Sequence, residues 1–178
     1  MDNTSLIIID DDASYRGVLQ RRLAQKTEFE VLTFASTRAA LQHTSRLRCH
    51  GIILDMMLAG ESGLDAIGQL KQHFAPTHLI MLTGYASIAT TVEAMRRGAT
   101  DYLAKPVALT TLLQRLLASE VAVTSISPAV TLTPAQLEWE HIQRTLLDHR
   151  GNISATAKAL GMHRRTLQRK LQKMSPRG

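Results

Sequence analysis

The stretch Leu6-Ile7-Ile8-Ile9-Asp10-Asp11-Asp12 decides the fold of this chain. Four consecutive apolar residues are typical of a short strand that is buried on both faces of a parallel sheet. Acidic residues follow the strand at once, and in an open parallel sheet functional side chains collect where the strands end. The stretch therefore predicts an inner strand that carries carboxylates to one edge of a sheet.

Further short apolar runs alternate with helical patterns through the first two thirds of the chain. The predicted strands cover residues 6–9, 31–34, 52–54, 79–82 and 102–104, and the predicted helices cover residues 15–25, 37–47, 64–73, 88–97 and 109–117. Because a helix follows each strand, the strands are expected to run parallel, with right-handed crossovers that place helices on both faces. The predicted fold class is a doubly wound α/β domain with a five-stranded parallel sheet.

The last third of the chain shows a different pattern, with no convincing strand. Residues 119–133 sustain neither a helical nor a strand period and predict a linker. Helical patterns then cover residues 134–149, 153–160 and 163–173, with Gly151 and Gly161 at the breaks between them. The sequence therefore predicts an α/β domain at 1–118, a linker at 119–133 and a small all-α domain at 134–178.

Composition narrows the class of protein. The chain has 178 residues, 44% of them hydrophobic, and no apolar run approaches the about 18 residues that a membrane-spanning helix needs. The amino terminus lacks the apolar segment of a signal peptide, so we expect a soluble, cytoplasmic protein. The single cysteine, Cys49, excludes an intramolecular disulfide and is interpreted as a packing residue.

The net charge is confined to the last third of the chain. Residues 1–120 carry 12 basic and 12 acidic residues, whereas residues 121–178 carry 9 basic and 3 acidic ones, which accounts for the formal net charge of +6. A neutral body with a cationic tail indicates a polyanionic partner, either nucleic acid or an anionic membrane. The tail has no aromatic anchor in its last 38 residues, so we favour double-stranded DNA and expect no membrane role.

Side chains that could carry chemistry follow four of the predicted strands. Asp10 and Asp11 follow the first strand, Asp55 the third, Thr83 the fourth and Lys105 the fifth. Each acid alone could be an ordinary helix cap. Carboxylates that converge repel one another unless a cation holds them together, and Mg²⁺ prefers such oxygen ligands. The pattern therefore predicts a Mg²⁺ site in which Asp55 attacks a phosphoryl group that Thr83 and Lys105 bind.

Four motifs resemble those of receiver domains of two-component response regulators. They are residues 6–12, residues 53–58 with Ser62-Gly63, residues 82–85 and residues 98–106. The resemblance spans residues 4–118 and implies strand order 2-1-3-4-5. It implies that a sensor histidine kinase phosphorylates Asp55 and that Thr83 and Lys105 bind the phosphoryl group. The implied Mg²⁺ ligands are Asp10, Asp11, Asp55 and the Met57 backbone carbonyl.

Three further implications of the resemblance concern Tyr102, the bond before Pro106 and Ala59. Tyr102 would be an aromatic switch that turns inward when the Thr83 hydroxyl moves toward a phosphate, although a half-buried core tyrosine is an equal alternative. The Lys105–Pro106 peptide bond is implied to be cis. Most receivers have proline four residues after the phosphorylated aspartate, where this chain has Ala59, so the loop is expected to be less restrained.

The all-α domain has the pattern of a helix-turn-helix. On its last predicted helix, Leu167, Leu171 and Met174 share one face, while basic and polar side chains occupy the others. The amino end of such a helix usually meets base edges, and arginine can bind guanine there. The predicted DNA contacts are His163, Arg164, Arg165, Thr166, Gln168, Arg169, Lys170, Gln172 and Lys173. A solvated cationic helix on a three-helix bundle is the alternative.

The stretch of residues 151–171 resembles the Fis-type helix-turn-helix. Together with residues 138–144, and placed directly behind a receiver-like segment, it resembles the RegA/PrrA/ActR/RoxR group of redox-responsive global regulators. The absence of proline at position 59 agrees with that group. Its members are paired with a membrane sensor kinase, which implies such a partner here. Trp139, in the first helix of this domain, is interpreted as a core or dimer-packing residue.

These observations predict a DNA-binding transcriptional response regulator and not an enzyme. Phosphorylation of Asp55 would pair two receivers, through the fourth helix, fifth strand and fifth helix, into a homodimer whose two tails meet two half-sites. One alternative is a phosphatase or phosphotransferase that uses Asp10 with Asp12, two residues later. The other is an architectural nucleoid protein, whose DNA affinity would not depend on the acidic residues.

Overall fold

The computed structural model describes residues 4–43, 48–84, 87–118 and 134–173. The strands are β1 (Thr4–Ile9), β2 (Glu30–Phe34), β3 (Arg48–Asp55), β4 (Met57–Leu58), β5 (Glu61–Ser62), β6 (His78–Thr83) and β7 (Asp101–Ala104). The helices are α1 (Ala13–Lys26), α2 (Thr37–Gln42), α3 (Gly63–Phe74), α4 (Ile88–Arg97), α5 (Leu109–Leu116), α6 (Pro134–Asp148), α7 (Ile153–Ala159) and α8 (Arg164–Lys173). The predicted change from α/β alternation to helices is therefore present in the described residues.

Five strands form one parallel sheet in the order β2-β1-β3-β6-β7. This order confirms the fold class and the strand order expected from the sequence. Because all five strands run in the same direction, their carboxyl ends lie at one edge of the sheet. Asp10, Asp55 and Thr83 therefore leave the sheet at that edge.

Helices cover both faces of the sheet, which is why the strands read as continuous apolar runs. α2, α3 and α4 cover one face, where Ile7, Ile9, Leu54, Leu70 and Ala94 belong to one buried cluster. α1 and α5 cover the other face, where the second cluster contains Leu6, Ile8, Leu23, Ile53 and Leu112. Burying one such leucine or isoleucine side chain stabilises the fold by about 1.5–3 kcal/mol.

The predicted second helix is too long. The pattern predicts a helix over residues 37–47, whereas α2 ends at Gln42. His43 has an extended backbone, with φ −79° and ψ 119°, and its N–H bonds to the Ala40 carbonyl to close the last turn. Because β3 begins at Arg48, the chain must leave the helix early enough to cross to the start of that strand. Residues 44–47 lie outside the described part of the chain.

The third strand begins earlier than predicted and contains a β-bulge. β3 starts at Arg48, not at residue 52, and it pairs with β1 on both sides of a register shift. Gly51 pairs with Leu6 after the shift, which leaves His50 as the extra residue of the bulged strand. A Cβ atom at Gly51 would lie 2.9 Å from the Leu116 side chain, so glycine allows α5 to approach the sheet closely here.

A short hairpin that the sequence pattern did not reveal follows β3. β4 and β5 pair antiparallel, with Met57 opposite Ser62 and Leu58 opposite Glu61. The turn between them contains Gly60, whose φ of +83° lies in the left-handed region that favours glycine. Strands of two residues are too short to show an alternating pattern, which explains why periodicity missed them.

The helices α6, α7 and α8 surround their own small core. Its buried members are Trp139, Ile142, Ala157, Leu167 and Leu171. The interpretation of Trp139 as a packing residue and the inward direction of Leu167 and Leu171 are confirmed. Met174, the third residue of the predicted stripe, lies outside the described residues.

α6 also contacts α4, so the small all-α unit touches the sheet domain. The half-buried Leu147 of α6 packs against the core cluster beneath α2, α3 and α4. The predicted linker, residues 119–133, lies outside the described residues. Among the described helices, none is both long and apolar enough to cross a membrane.

Candidate functional site

The acidic residues that follow β1 and β3 lie together at the carboxyl edge of the sheet. Carboxylate oxygens of Asp10, Asp11 and Asp55 all lie within 4.8 Å of one another. Asp10 and Asp55 are buried, whereas Asp11 is exposed. Residues more than forty positions apart in the sequence are therefore brought into one pocket, as the sequence predicts. We refer to these three residues as the acidic pocket.

Lys105 closes the acidic pocket from the end of the last strand. Its Nζ atom lies 2.7 Å from Asp10 Oδ2 and 3.2 Å from Asp55 Oδ1. The same ammonium group lies 4.5 Å from the centre of the Tyr15 ring. The backbone N–H of Lys105 donates to the Thr83 carbonyl over 2.6 Å, which places these two residues side by side. The Lys105–Pro106 bond is cis, as the resemblance implies.

Electrostatics in the pocket are set by burial and by the shared lysine. The pKa of Asp55 is raised to about 6, chiefly because burial disfavours the charged carboxylate; the positive charge of Lys105 lowers it, and the negative charge of Asp10 raises it. Burial alone would lower the pKa of Lys105, but attraction to Asp55 and Asp10 outweighs it and raises that pKa. Lys105 therefore offsets only part of the cost of burying the Asp55 charge.

The donor atoms of the pocket suit a hard divalent cation. All three side chains offer carboxylate oxygens, which Mg²⁺ prefers to nitrogen or sulfur ligands. A second cation would also stabilise the ionised form of Asp55, whose pKa burial raises. One oxygen of Asp10 already accepts the N–H of Asp12 over 2.9 Å, and the other contacts Lys105. The residues present therefore fit Mg²⁺.

Thr83 lies at the end of β6, and Tyr102 lies on the adjacent strand β7 and contacts α4. Thr83 is only 1% exposed at the end of β6, and Tyr102 is half-buried against the core. The Tyr102 hydroxyl lies 2.7 Å from Thr90 Oγ1 on α4 and donates to Met56 Sδ over 3.2 Å. Because Met56 directly follows Asp55, one tyrosine hydroxyl connects the pocket to α4.

Sequence reasoning missed several residues around the pocket. Arg16 donates to the Asp10 carbonyl over 2.5 Å, and Tyr15 lies beneath Lys105. Asp12 accepts the N–H groups of Ser14 and Tyr15 and caps α1, so its carboxylate serves the helix. An acid followed by a helical pattern signals such a cap. The contacts of Arg16 and Tyr15 had no signal in the sequence, because they depend on how α1 packs on the sheet.

The predicted DNA-contacting residues form a second, exposed surface on and beside α8. His163, Arg164, Arg165, Arg169 and Gln172 are exposed. Thr166, Gln168 and Lys170 are half-buried, and the Lys173 side chain lies outside the description. Lys170 differs from the other basic residues, because its Nζ atom lies 2.8 Å from Glu138 Oε1 on α6. Four basic or potentially basic side chains therefore face solvent at and beyond the start of α8.

Both units match known protein families. Residues 6–117 match the response regulator receiver domain, and residues 133–174 match the bacterial regulatory proteins of the Fis family. The receiver match covers most of the chain and includes every residue of the acidic pocket. This chain is a response regulator. The response regulator combines its receiver with a Fis-type helix-turn-helix, which the sequence motifs had indicated.

Relatives of the response regulator share both units. It is 37% identical over 177 residues to the photosynthetic apparatus regulatory protein RegA of Rhodovulum sulfidophilum, covering 99% of this chain and 95% of that one. It is also 37% identical over 176 residues to the acid tolerance regulatory protein ActR of Rhizobium meliloti (strain 1021), covering 97% and 88% of the two chains. The predicted membership of the RegA and ActR group is confirmed.

A solved structure of a similar protein also covers both units. It is a response regulator from Burkholderia pseudomallei with a phosphorylated aspartic acid, a calcium ion and citrate. The present chain is 40% identical to the Burkholderia protein. The two structures match with a TM-score of 0.63, over 96% of this chain and 99% of the other.

Family membership gives the two sites their general roles. The response regulator is a DNA-binding transcriptional regulator, because it combines a receiver with a Fis-type helix-turn-helix and its relatives are regulatory proteins. Receiver domains are typically phosphorylated on an aspartate and bind Mg²⁺ at an acidic pocket, and a histidine kinase is their usual partner.

Proposed function

We propose that phosphorylation of Asp55 by a sensor histidine kinase controls DNA binding by α8. The single observation that carries this proposal is the acidic pocket, where Lys105 lies within 3.2 Å of the Asp55 carboxylate and within 2.7 Å of Asp10. In the proposal, Asp10, Asp11, Asp55 and the Met57 carbonyl hold Mg²⁺. Thr83 and Lys105 bind the phosphoryl group, and Tyr102 is the switch residue.

The chemistry is the transfer of one phosphoryl group. A carboxylate oxygen of Asp55 attacks phosphorus, the bond from phosphorus to the histidine nitrogen of the kinase breaks, and that nitrogen leaves with the electron pair. Bound Mg²⁺ supplies positive charge that offsets the phosphoryl oxygens. Lys105 exchanges its contact with Asp10 for a phosphoryl oxygen, and the Thr83 hydroxyl donates to another. The acyl phosphate that forms is the signal.

A route for that signal is present in the contacts around Tyr102. Movement of Thr83 toward the phosphoryl group changes the space beside Tyr102, whose hydroxyl contacts Thr90 on α4. α4 in turn contacts α6, the first helix of the helix-turn-helix unit. A small displacement at the pocket is thus transmitted through two packed helices to the DNA-binding unit.

The DNA-binding part of the proposal rests on the exposed basic surface. The residues assigned to DNA are His163, Arg164, Arg165, Thr166, Gln168, Arg169, Lys170, Gln172 and Lys173. Arg165 and Arg169 are the first candidates for base or phosphate contacts, because both are exposed. Lys170 would have to leave Glu138 to reach DNA. One short helix neutralises few phosphates, so we infer a homodimer that presents two α8 helices.

The remaining parts of the proposal concern organisation and setting. The chain divides into a receiver at 1–118, a linker at 119–133 and a helix-turn-helix unit at 134–178, which agrees with the two family matches. We place the protein in the cytoplasm, as a redox-responsive regulator and not an enzyme. The kinship to regulatory proteins supports the exclusion of enzyme activity.

Two measurements on the full chain test this function. Mass spectrometry after incubation with acetyl phosphate and Mg²⁺ is expected to locate one phosphoryl group on Asp55, and none on the Asp55→Asn variant. Asp65→Asn, which alters an exposed carboxylate on α3, is the matched control. A phosphoryl group on Asp10 would favour the enzyme alternative.

The second measurement links the pocket to DNA. In the wild type, beryllofluoride with Mg²⁺ is expected to increase both the mass measured by gel filtration and the affinity for DNA. In the Asp55→Asn variant, neither quantity should change. DNA affinity that is the same in both proteins under all conditions would favour the architectural alternative.

A further inference from the structure

The loop that follows Asp55 is held by a side-chain contact from another part of the fold. Glu61 Oε1 accepts the N–H of Thr37 over 3.0 Å, and Glu61 Oε2 accepts the Thr37 hydroxyl. Thr37 is the first residue of α2 and is only 4% exposed, and Glu61 is half-buried. Two donors on a buried residue therefore fix both oxygens of one carboxylate. We call this pair the Glu61–Thr37 clamp.

The clamp acts on the hairpin formed by β4 and β5. Glu61 pairs with Leu58, and the adjacent Ser62 pairs with Met57. At the base of the hairpin, the N–H of Gly63 donates to the Met56 carbonyl over 2.9 Å. A carboxylate fixed on one strand of so short a hairpin also limits the movement of the opposite strand, which carries Met57.

The turn of this hairpin has few other restraints. Ala59 and Gly60 are exposed, and a Cβ atom at Gly60 would meet no atom within 4 Å. Ala59 stands where most receivers have a proline ring to fix φ, which led to the expectation of a looser loop. The clamp restrains this loop through Glu61, the residue that directly follows the turn. The clamp therefore supplies a restraint on the loop that a proline at position 59 would otherwise give.

We propose that Glu61 and Thr37 are positioning residues that fix the Met57 carbonyl and thereby strengthen Mg²⁺ binding at the acidic pocket. The inference rests on the proposed function, in which that carbonyl is a metal ligand. Mg²⁺ demands nearly ideal octahedral geometry, so a carbonyl that moves by a few tenths of an ångström binds it less well. Glu61 and Thr37 act through the hairpin and not on the phosphoryl group.

Isothermal titration of the full chain with Mg²⁺ alone tests the clamp. Glu61→Gln is expected to weaken Mg²⁺ binding about fivefold, which corresponds to ~1 kcal/mol. Thr37→Val removes the hydroxyl without changing any charge and is expected to weaken binding about threefold, because the backbone N–H still donates. The double variant should bind as Glu61→Gln does, since both changes disrupt the same contact.

Two controls separate positioning from charge and from stability. Glu28→Gln removes one exposed negative charge elsewhere and is expected to leave Mg²⁺ affinity unchanged. Thr37→Ser keeps the hydroxyl and should restore affinity to within twofold of the wild type. The melting temperature without Mg²⁺ is measured for each variant, since a merely structural clamp would lower it and leave Mg²⁺ affinity alone.

The outcomes distinguish this inference from the proposed function. If the wild type binds Mg²⁺ in a way that Asp55→Asn weakens, yet Glu61→Gln and Thr37→Val bind as tightly as the wild type, the clamp has no positioning role. If wild-type binding is absent or independent of Asp55, the assignment of the acidic pocket itself is wrong. Weaker binding in both clamp variants, with recovery in Thr37→Ser, supports the inference.

Discussion

The acidic pocket and the α8 surface place their charges in opposite ways. In the pocket, Asp10, Asp55 and Lys105 are largely withdrawn from water. Lys105 lies within 3.2 Å of both carboxylates and lowers the pKa of Asp55, while the two carboxylates raise the pKa of Lys105. On α8, Arg165 and Arg169 are exposed and lie four positions apart, about one helical turn from each other. Buried charges that share a partner interact strongly, so one added charged group changes the electrostatics of all of them. Exposed charges act almost independently of one another and are screened by salt. The first arrangement suits a switch and the second suits adhesion to a polyanion.

The largest expected effect tests whether the receiver and the unit formed by α6, α7 and α8 unfold separately. Leu167 is fully buried in the small core of α6, α7 and α8. Leu167→Ala should cost about 3 kcal/mol, enough to unfold a unit with so few buried residues. We expect a separate loss of helical circular dichroism and of DNA binding, while Mg²⁺ binding at the pocket persists. Leu167→Met conserves volume and is the control. Loss of Mg²⁺ binding as well would show that the regions are one cooperative unit.

The next prediction concerns the independence of the exposed charges. Arg165→Ala and Arg169→Ala should each weaken DNA binding about tenfold and reduce its dependence on salt, with Asp55 phosphorylation intact. Arg38→Ala, which removes an exposed arginine from α2 of the receiver, is the matched control and should leave DNA affinity unchanged. Lys170→Ala should have a smaller effect than the two arginine variants, because Lys170 is paired with Glu138. Fluorescence anisotropy at several salt concentrations measures these effects. Equal affinity of the wild type and both arginine variants would contradict the assignment of α8 to DNA.

A smaller effect is expected from pH at the opposite end of the sheet. Burial lowers the pKa of His78, and the neighbouring His50, whose ring centre lies 5.1 Å away, lowers it further. The unfolded chain therefore takes up a proton at higher pH than the folded one, so stability is lost as pH falls below about 6.5.

Replacement of His78 makes that dependence measurable. His78→Gln should flatten the decline of the receiver's melting temperature between pH 7 and pH 5, as followed by circular dichroism. His73→Gln alters an exposed histidine and should leave the decline as it is. A decline that is equally steep in His78→Gln would mean that another group is responsible.

The smallest effect is expected at Cys49. Burial raises the pKa of its thiol to about 12, so the reactive thiolate is scarce at neutral pH. At pH 8, a disulfide reagent should react at least about 100-fold more slowly with the native protein than with protein unfolded in urea. Mild oxidants should leave DNA affinity unchanged. Fast reaction of the native thiol would contradict the interpretation of Cys49 as a packing residue.

Much of the α/β fold could be read from local patterns. The strand from Leu6 to Ile9 is buried on both faces, as are residues 51–55 of β3 and all of β6, and runs of consecutive apolar residues indicate that burial. The pocket residues Asp10, Asp55 and Lys105 could be found because the end of a strand is visible in the sequence. Parallel topology then determines that strand ends meet at one edge.

The sequence by itself thus determined the five strands of the parallel sheet, the pocket carboxylates and the inward face of α8. Only the tertiary structure decided that α2 ends at Gln42, that His50 forms a bulge, that Tyr102 contacts Thr90 and that Glu61 binds Thr37. Periodicity in the sequence indicates which residues are buried, because each buried position by itself favours an apolar residue. The partner of a side chain depends on how helices and loops far apart in the chain pack together, and no local pattern carries that information.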